Sequence, residues 1–570
     1  MNGPRVGVLL ITCLLLACVA TRVPPSPSPS ATVPPNVPAS PVPPSPSPTA
    51  CPTPSPTPTP EDLYLPPDGV ELYPGPAIYS GDHVTFDVTP RNLDGLPLGE
   101  LTVRVYRGAG ADIETLAQET VGYPTFDRVP RARLIWAWDT TGLVGEQTLT
   151  AWIDPDDQIR AGDENPDNNR MTFDVEIKPA ADRPPAEIGA TWATTATDCC
   201  VFYYLTGSAA ERDLAAIAGT AEAAIGHVQS ELHTTVPAPF EIYMISRVIG
   251  HGGYAREWLA ISYLDRHYGG RDLGNVLRHE AAHVVDAGMV AEWAPALARE
   301  GLAVKIAGGH FAPGPVIELA SAVWELDRYI PLEELADDFY RHQHEIGYLE
   351  AGAFVMYLLE THGWDAFRRF YTSFDDQKDD AQALDAALTS TWGVGLAETE
   401  AAFLDWLAQH PPRSAHLRSI EATVRLFEAV RGYQAQHEPG AYFWSGWLPS
   451  PEIGKDQGIT ADFIRHPHQP ENVALETMLI AAQDALMAED WDRVAQLLDG
   501  VEAVLSAGVF GHPLAAEYLA VAHAVDDAGY EAQAIALVGE VAEVEAIADW
   551  PERVILCFSR DDAGWAFCDE

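Results

Sequence analysis

His279-Glu280-Ala281-Ala282-His283 is the stretch that decides the fold of the central part of this chain. On a helix, residues four apart lie on one face, so the two imidazoles stand one turn above the other. This spacing lets a single tetrahedral Zn²⁺ take one nitrogen from each histidine. Glu280 follows the first histidine and can act as general base on a water at the metal. The sequence therefore predicts a helix that carries a zinc site.

Strand and helix patterns alternate around this motif. Short apolar runs predict strands, and an alanine-rich period of 3.6 residues predicts a long helix. The predicted strands are Val201–Leu205, Phe240–Ile245 and Trp258–Tyr263, and the predicted helices are Ala209–Leu232 and Asp272–Met289. We therefore expect residues 186–412 to form one α+β domain in which a small sheet precedes the motif helix.

A zinc enzyme needs a third protein ligand and leaves the fourth position for water. Glu300-Gly301-Leu302-Ala303 follows the motif and resembles the Glu-Gly-x-Ala stretch of the gluzincin metallopeptidases, a group that includes thermolysin and the aminopeptidase N-like family. The resemblance covers the motif and this stretch. It implies a thermolysin-like peptidase fold with His279, His283 and Glu300 as zinc ligands and Glu280 as base. Sixteen residues separate His283 from Glu300, a few fewer than in thermolysin and the aminopeptidases. The shorter gap implies a shorter connection between the two helices, which resembles that of peptidase-MA-like bacterial proteins.

Other residues compete for the third position. Asp286 lies close to the same helix face as His283, where it suits the role of orienting an imidazole rather than reaching the metal. Glu292 requires the loop to fold back sharply. The metzincin arrangement requires a ligand six positions after the second histidine, and that position is Met289. Glu300 is therefore the predicted ligand.

The site also requires a donor for the oxyanion. Gly347–Tyr357 resembles the tyrosine-bearing helix of the gluzincins, and Tyr348 is our candidate. The alternatives are Tyr340, His342, His344 and a purely structural tyrosine at a helix start. Gly252–Tyr263 occupies the place of the edge strand that aligns an extended peptide in related enzymes. The exopeptidase motif Gly-Ala-Met-Glu-Asn is absent from the sequence, which favours an endopeptidase.

The amino terminus reads as an export signal. Arg5 precedes the apolar run Val6–Val19, which is too short for a permanent transmembrane helix. Leu15-Leu16-Ala17-Cys18 resembles a bacterial lipobox, which implies a signal peptide over residues 1–17 and a lipid on Cys18. Plain secretion and an uncleaved anchor are the alternatives. Residues 18–61 form a Pro/Ser/Thr-rich linker. We expect a protein held by its lipid on the outer face of the cytoplasmic membrane.

Residues 62–179 alternate polar and apolar positions in short runs, which predicts a β-sandwich. Trp152–Asp156 and Asp163–Asn169 resemble the turns of the immunoglobulin-like CARDB family. The clustered acidic side chains offer hard oxygen ligands for weak Ca²⁺ binding, or they form Asx-type turns. The residues concerned are Asp154, Asp156, Asp163 and Glu164.

Residues 413–570 are predicted to form an all-α domain, with long amphipathic hairpins over Glu471–Leu505 and Ala515–Ile547. Cys557 and Cys568 can form a disulfide in an oxidising compartment, or they remain buried thiols. Cys199 and Cys200 are adjacent, so a strand would bury only one of them.

The composition narrows the choice of partners. The 34 basic and 83 acidic residues give a net charge of −49, which excludes nucleic acid and anionic lipid as partners. The prediction is a multidomain surface zinc metallopeptidase that takes a peptide or protein substrate. The alternatives are a non-catalytic adhesion or scaffold protein and a zinc hydrolase with a non-peptide substrate.

Overall fold

A computed structural model describes residues 62–568, apart from 94, 109–112, 124–128, 160–162, 235–238, 250–251, 271, 288–292, 312, 376–377, 442–448, 548–551 and 562–563. The signal peptide, Cys18, the linker, Met289 and Glu292 lie outside the described residues. Among the helices that are described, none is both long and apolar enough to cross a membrane.

The first region is a sandwich of two β-sheets, as the alternating pattern predicts. Its strands are β1 (Val70–Tyr73), β2 (Ile78–Tyr79), β3 (His83–Val88), β4 (Thr102–Arg107), β5 (Glu114–Thr120), β6 (Ala132–Asp139), β7 (Gly145–Ile153) and β8 (Arg170–Lys178). One sheet has the order β1-β3-β6 and the other β2-β8-β7-β4-β5. Alternate residues such as Phe86, Val103 and Leu149 are fully buried in the core of the sandwich.

The second region contains the predicted sheet and motif helix. Its sheet has the order β12-β13-β11-β10-β9, with β10, β11 and β13 parallel. The strands are β9 (Trp192–Ala196), β10 (Cys200–Leu205), β11 (Phe240–Ile245), β12 (Gly253–Ala255) and β13 (Leu259–Ser262). Continuous apolar runs form the central strands because helices and loops cover both of their faces.

Helices complete this second region. They are α1 (Ala209–Glu231), α2 (Leu273–Ala287), α3 (Ala296–Ala307), α4 (Val316–Glu325), α5 (Leu332–Asp337), α6 (His344–His362), α7 (Trp364–Tyr371), α8 (Asp380–Trp392) and α9 (Leu396–Leu407). A short 3-10 helix spans Phe339–Arg341. Residues from the sheet, α1, α2, α3 and α6 share one hydrophobic core, which fixes α2 against its neighbours.

The last region is not all-α, and this part of the fold prediction is wrong. Its helices are α10 (Ser414–His437), α11 (Pro451–Gln457), α12 (Ala461–Ile464), α13 (Pro470–Met487), α14 (Trp491–Ala507) and α15 (Pro513–Asp527). An antiparallel sheet follows, formed by β14 (Glu531–Val538), β15 (Val541–Ile547), β16 (Arg553–Asp561) and β17 (Gly564–Phe567). In β15, Ala542, Val544 and Ala546 are buried, so every second side chain faces the core. Residues that favour helices adopt this strand pattern because the strand pairs with its neighbours in the sheet.

A buried arginine joins the last region to the β-sandwich and to the segment that follows the sandwich. Arg465, which is 2% exposed, donates to Asp82 Oδ2 at 2.7 Å and to Glu187 Oε2 at 2.6 Å. Asp82 belongs to the β-sandwich region, and Glu187 belongs to the segment that leads out of it. Trp136 of β6 also donates its ring N–H to Asp462 at 2.6 Å. Ion pairs that are buried and hydrogen-bonded in this way are costly to break.

Candidate metal centre

Helix α2 presents both motif histidines on one face. Asp272 precedes the helix, and its side chain accepts from the backbone N–H of Asn275 at 2.7 Å, which caps the first turn. Leu277 and Val285 are fully buried on the core side of the helix. The ring centroids of His279 and His283 are 5.0 Å apart, as expected for positions i and i+4.

Helix α3 supplies Glu300 because it packs closely against α6. Gly301 faces the backbone of α6, and a Cβ built on it would lie 2.4 Å from the carbonyl oxygen of Ala351. A Cβ on Gly352 would in turn lie 2.5 Å from Cγ1 of Val304. Residues with side chains do not fit at these two contacts. The glycine in the Glu-Gly-x-Ala stretch therefore sets the position of the glutamate beside it.

The three predicted ligands converge. Glu300 Oε2 lies 3.2 Å from Nε2 of His279 and 3.2 Å from Nε2 of His283. One ligand atom from each residue lies within 4.8 Å of the other two. Tetrahedral Zn²⁺ with bonds of about 2.1 Å holds its ligand atoms roughly 3.4 Å apart. The donor set and its spacing therefore fit one zinc ion.

The far nitrogens of the two histidines are also informative. Nδ1 of His279 and Nδ1 of His283 are buried and have no hydrogen-bond partner among the described residues. Their Nε2 atoms face Glu300. Nε2 is thus the nitrogen that each histidine offers to an ion. In zinc sites the opposite nitrogen commonly donates to a carboxylate, carbonyl or water.

Glu280 lies at this centre without joining the three ligands. It is 7% exposed, and burial raises its pKa to about 7, with His279 lowering it and Glu300 raising it further. A Cβ built on Gly253 in the edge strand β12 would lie 3.0 Å from Cγ of Glu280. A carboxylate with a pKa near neutrality is suited to accept and return a proton. Its position between the histidines and the sheet edge suits a general base.

Tyr340 holds Glu300 in place. Its hydroxyl donates to Glu300 Oε1 at 2.7 Å and accepts from Nη2 of Arg299 at 3.5 Å. Burial alone would raise the pKa of Glu300, but His283 and His279 outweigh burial and hold that pKa well below its ordinary value. Glu300 is therefore an anion directed at the two histidines by a tyrosine from the Phe339–Arg341 turn.

Tyr348, our candidate oxyanion donor, lies in a group of aromatic rings beside His279. Its ring stacks on His310 with centroids 4.0 Å apart and lies 5.9 Å from the ring of His279. His344 packs edge-on against Tyr348 at 4.3 Å. His342 points elsewhere, because its Nε2 lies 3.2 Å from the backbone oxygen of Glu334. Tyr348 and His344 thus lie at the centre, whereas His342 does not.

His310 is a residue of this centre that the motifs do not reveal. It is 8% exposed, follows the Gly308-Gly309 pair after α3, and its ring lies 6.2 Å from that of His279. Burial lowers the pKa of His310 well below its ordinary value, and His279 lowers it further, so His310 is neutral. The sequence offers one indication of its role, which is that His310 directly follows the two glycines that end helix α3.

Asp286 is near His283 but is bonded to another residue. Tyr371 of α7 donates its hydroxyl to Asp286 Oδ2 at 2.5 Å. Burial raises the pKa of Asp286 to about 6, while the Tyr371 bond and the charge of His283 lower it. Asp286 thus acts on His283 through its charge and has no hydrogen bond to it among the described residues.

The acidic residues considered for Ca²⁺ make local contacts. Asp154 accepts from the backbone N–H groups of Gln158 and Ile159 at 3.0 and 2.7 Å, which lie four and five residues on, further than the two residues of an Asx turn. Asp156 pairs with Arg104, and Asp163 accepts a side-chain amide N–H at 2.7 Å. Neither these residues nor Glu164 belong to a cluster close enough to hold an ion among the described residues.

Two disulfides are present among the described residues. One joins Cys557 to Cys568 across the β16–β17 hairpin, where the Cα atoms are 5.4 Å apart. The other joins the neighbours Cys199 and Cys200 at the start of β10. Cys200 is fully buried, whereas Cys199 is not.

Comparison with known proteins gives little. No protein-family model matches the chain, and no curated protein matches it. The chain is similar to the crystal structure of a CARDB domain from Pyrococcus furiosus in complex with di-metal ions, with 23% sequence identity and a TM-score of 0.15. That match covers 20% of this chain and 87% of the other. A score this low carries no argument about fold or metal, and the β-sandwich rests on its own strand pairing.

Proposed function

We propose that this chain is a zinc-dependent metallopeptidase of the gluzincin type that hydrolyses peptide bonds. The observation that carries the proposal is the convergence of His279, His283 and Glu300 beside the buried Glu280. A structural ion pair would explain Glu300 between two histidines. It would not explain a second buried carboxylate, that of Glu280, with a pKa near 7 beside a sheet edge.

The chemistry follows from the placement of the side chains. When bound, Zn²⁺ supplies a Lewis acid that polarises the scissile carbonyl and lowers the pKa of water. Glu280 takes the proton from the attacking water and returns it to the leaving amine. Tyr348 remains the candidate donor for the negative charge that develops on the carbonyl oxygen, because the Tyr340 hydroxyl is already bonded to Glu300.

An extended peptide is the substrate that the surroundings favour. Strand β12 is an edge strand in the order β12-β13-β11-β10-β9, and its Gly253 lies against Glu280. A free strand edge pairs with an extended chain through backbone hydrogen bonds. Such pairing would bring a main-chain carbonyl of the substrate next to the ligand set. We therefore favour an endopeptidase over a hydrolase of small non-peptide molecules.

We also propose that the enzyme acts at the bacterial cell surface, anchored by a lipid on Cys18. This rests on the signal-like run that ends at Cys18 and on the proline-rich linker behind it. Labelling of wild type with a fatty-acid analogue, and loss of the label in Cys18→Ala, would support the anchor. An unlabelled wild type would contradict it.

The decisive experiment compares Glu280→Gln with wild type and with Glu325→Gln, an exposed glutamate at the end of α4. Casein and a peptide library serve as substrates, with an ester panel beside them, and elemental analysis follows zinc. Glu280→Gln should keep as much zinc as wild type and lose peptide hydrolysis by at least about a hundredfold, while Glu325→Gln behaves as wild type. Full activity in Glu280→Gln would refute the mechanism. Ester hydrolysis without peptide hydrolysis in wild type would refute the substrate class.

A further inference from the structure

A second group of metal-ligating side chains lies outside the site described above. His466 and His468 follow α12 in an extended segment, separated by Pro467. In an extended chain residues i and i+2 point to the same side, and proline fixes its own backbone angle. Glu531 opens strand β14 of the C-terminal sheet and meets these two side chains. The group shares no residue with the centre at His279.

The spacing in this group is that of a metal ligand set. Oε1 of Glu531 lies 3.6 Å from Nε2 of His466 and 3.2 Å from Nδ1 of His468. One ligand atom from each residue lies within 4.8 Å of the other two. These separations bracket the roughly 3.4 Å expected between ligand atoms around tetrahedral zinc.

The hydrogen bonding of His466 sets which of its nitrogens faces the carboxylate. Its Nδ1 lies 3.0 Å from the backbone oxygen of Ile464. A carbonyl only accepts, so Nδ1 carries a proton and Nε2 is the nitrogen that faces Glu531. A ligand histidine that donates its other nitrogen to a backbone carbonyl is the usual arrangement in metal sites.

Arg266 also contacts Glu531, and its charge has to be accounted for. Its Nη1 donates to Glu531 Oε1 at 3.0 Å. Arg266 is at the same time bonded through Nε to Glu476, a carboxylate that is only 2% exposed. One guanidinium therefore faces two carboxylates, which leaves one negative charge for another cation.

The group borders a cavity that gives an ion an entry path and an open position. The cavity has a volume of about 810 Å³, and its lining includes His466, His468 and Glu531. The side chains of the three are 16%, 27% and 33% exposed, so the ligand atoms are reachable without unfolding. Three protein ligands beside open space would leave the fourth coordination position of a metal ion to water or a small ligand.

We propose that His466, His468 and Glu531 form a second site for a divalent transition-metal ion, with Zn²⁺ as the expected occupant. Two imidazoles and a carboxylate are a donor set for zinc and other late first-row metals rather than for Ca²⁺ or Mg²⁺. The ion joins strand β14 to the segment that carries Arg465, and so fastens the C-terminal sheet to the rest of the chain.

The test separates this site from the first one. The metal-free full chain, titrated with Zn²⁺ and then with Co²⁺, should bind about two equivalents. The His279→Ala/His283→Ala variant, in which the second site is intact, should bind about one, as should His466→Ala/His468→Ala. His523→Ala removes an exposed histidine of α15 and should still bind about two. If the protein with both double substitutions bound as much metal as the others, the ions would be adventitious and the proposal refuted.

A second readout does not depend on how the His466 variants fold. In the His279→Ala/His283→Ala protein, Zn²⁺ should slow backbone hydrogen exchange in β14 and β15, because the ion ties β14 in place. Glu531→Gln, which keeps the shape of the side chain, should abolish that effect. No bound metal and no change in exchange in the first-site variant would overturn the proposal, whatever the activity of the enzyme.

Discussion

Replacing Gly301 with alanine tests how Glu300 is held, because the structure leaves no room for the added methyl group. A Cβ at this position would lie 2.4 Å from the carbonyl oxygen of Ala351, 2.7 Å from its carbonyl carbon and 2.8 Å from Cγ2 of Val355. Two of these are main-chain atoms of α6, which cannot rotate away. Ordinary van der Waals contact would require α3 and α6 to separate by roughly 1 Å.

The expected size of the effect follows from two opposing terms. Alanine favours a helix over glycine by about 1 kcal/mol. Overpacking a close contact costs about 1–3 kcal/mol, and a clash with main chain belongs at the upper end of that range. The net destabilisation should be about 2 kcal/mol. Because Glu300 precedes Gly301, moving α3 also carries its carboxylate away from both histidines, and Zn²⁺ affinity should fall about tenfold or more.

Gly219 provides the matched control. It lies on the exposed side of α1, and a Cβ built on it meets nothing within 4 Å. Gly219→Ala should therefore stabilise the protein by about 1 kcal/mol and leave zinc affinity unchanged. Urea unfolding and competition with a chelating dye measure the two quantities. If Gly301→Ala stabilised the protein as Gly219→Ala does, with unchanged zinc affinity, the close packing of α3 on α6 would be refuted.

Two further substitutions test the contacts of the site and of the domain junction. Tyr340→Phe removes the 2.7 Å hydrogen bond to Glu300 and should weaken Zn²⁺ binding about tenfold in the same dye competition. The control Tyr329→Phe loses a comparable hydrogen bond outside the site and should leave Zn²⁺ binding unchanged. Equal effects of the two substitutions would contradict the role of Tyr340. Burial raises the pKa of Asp462 from 3.8 to about 6, so the folded state binds its proton more tightly. The contribution of Asp462 to wild-type stability should therefore fall by on the order of 3 kcal/mol as pH rises from about 4 to about 7. An asparagine at position 462 can still accept the hydrogen bond from Trp136 but does not titrate, so Asp462→Asn should lose this contribution to the pH dependence of the urea midpoint. If the urea midpoints of wild type and Asp462→Asn changed equally with pH, the raised pKa of Asp462 would be contradicted.

Local periodicity explains what the sequence predicted well. The strands of the sandwich follow a period of two, and α2 is predicted within two residues at each end of the described helix because its apolar positions repeat every 3.6 residues. The histidine pair is positioned by one helix alone. Glu300 was predicted from the resemblance of Glu300-Gly301-Leu302-Ala303 to the gluzincin stretch, and the structure shows that its glycine makes a close contact with another helix.

The remaining features depend on contacts between distant segments. Tyr340 comes from a short turn forty residues after Glu300, and nothing in its own neighbourhood marks it as a partner of that glutamate. Strands β14 and β15 lie in the predicted helical hairpin Ala515–Ile547, since their alanine and glutamate residues favour helices, and pairing across the sheet overrides that preference. Strands β16 and β17 lie in the rest of the region that was predicted to be all-α. Glu531 shows the same limitation, since it meets His466 and His468 only after that sheet has formed.

The charge of the first centre argues that a cation belongs there. Glu280, Glu300 and Asp286 bring three carboxylates into one buried region, and each is at most 7% exposed. Burial raises the pKa of Glu280 to about 7 and that of Asp286 to about 6, which means that the positive charge around them does not offset their desolvation. A divalent ion between the histidines would favour the charged form of all three carboxylates and lower both raised pKa values. The metal would thus contribute to the stability of this region as well as to its chemistry, because without it the fold buries Glu280 and Asp286 with too little positive charge to offset their desolvation.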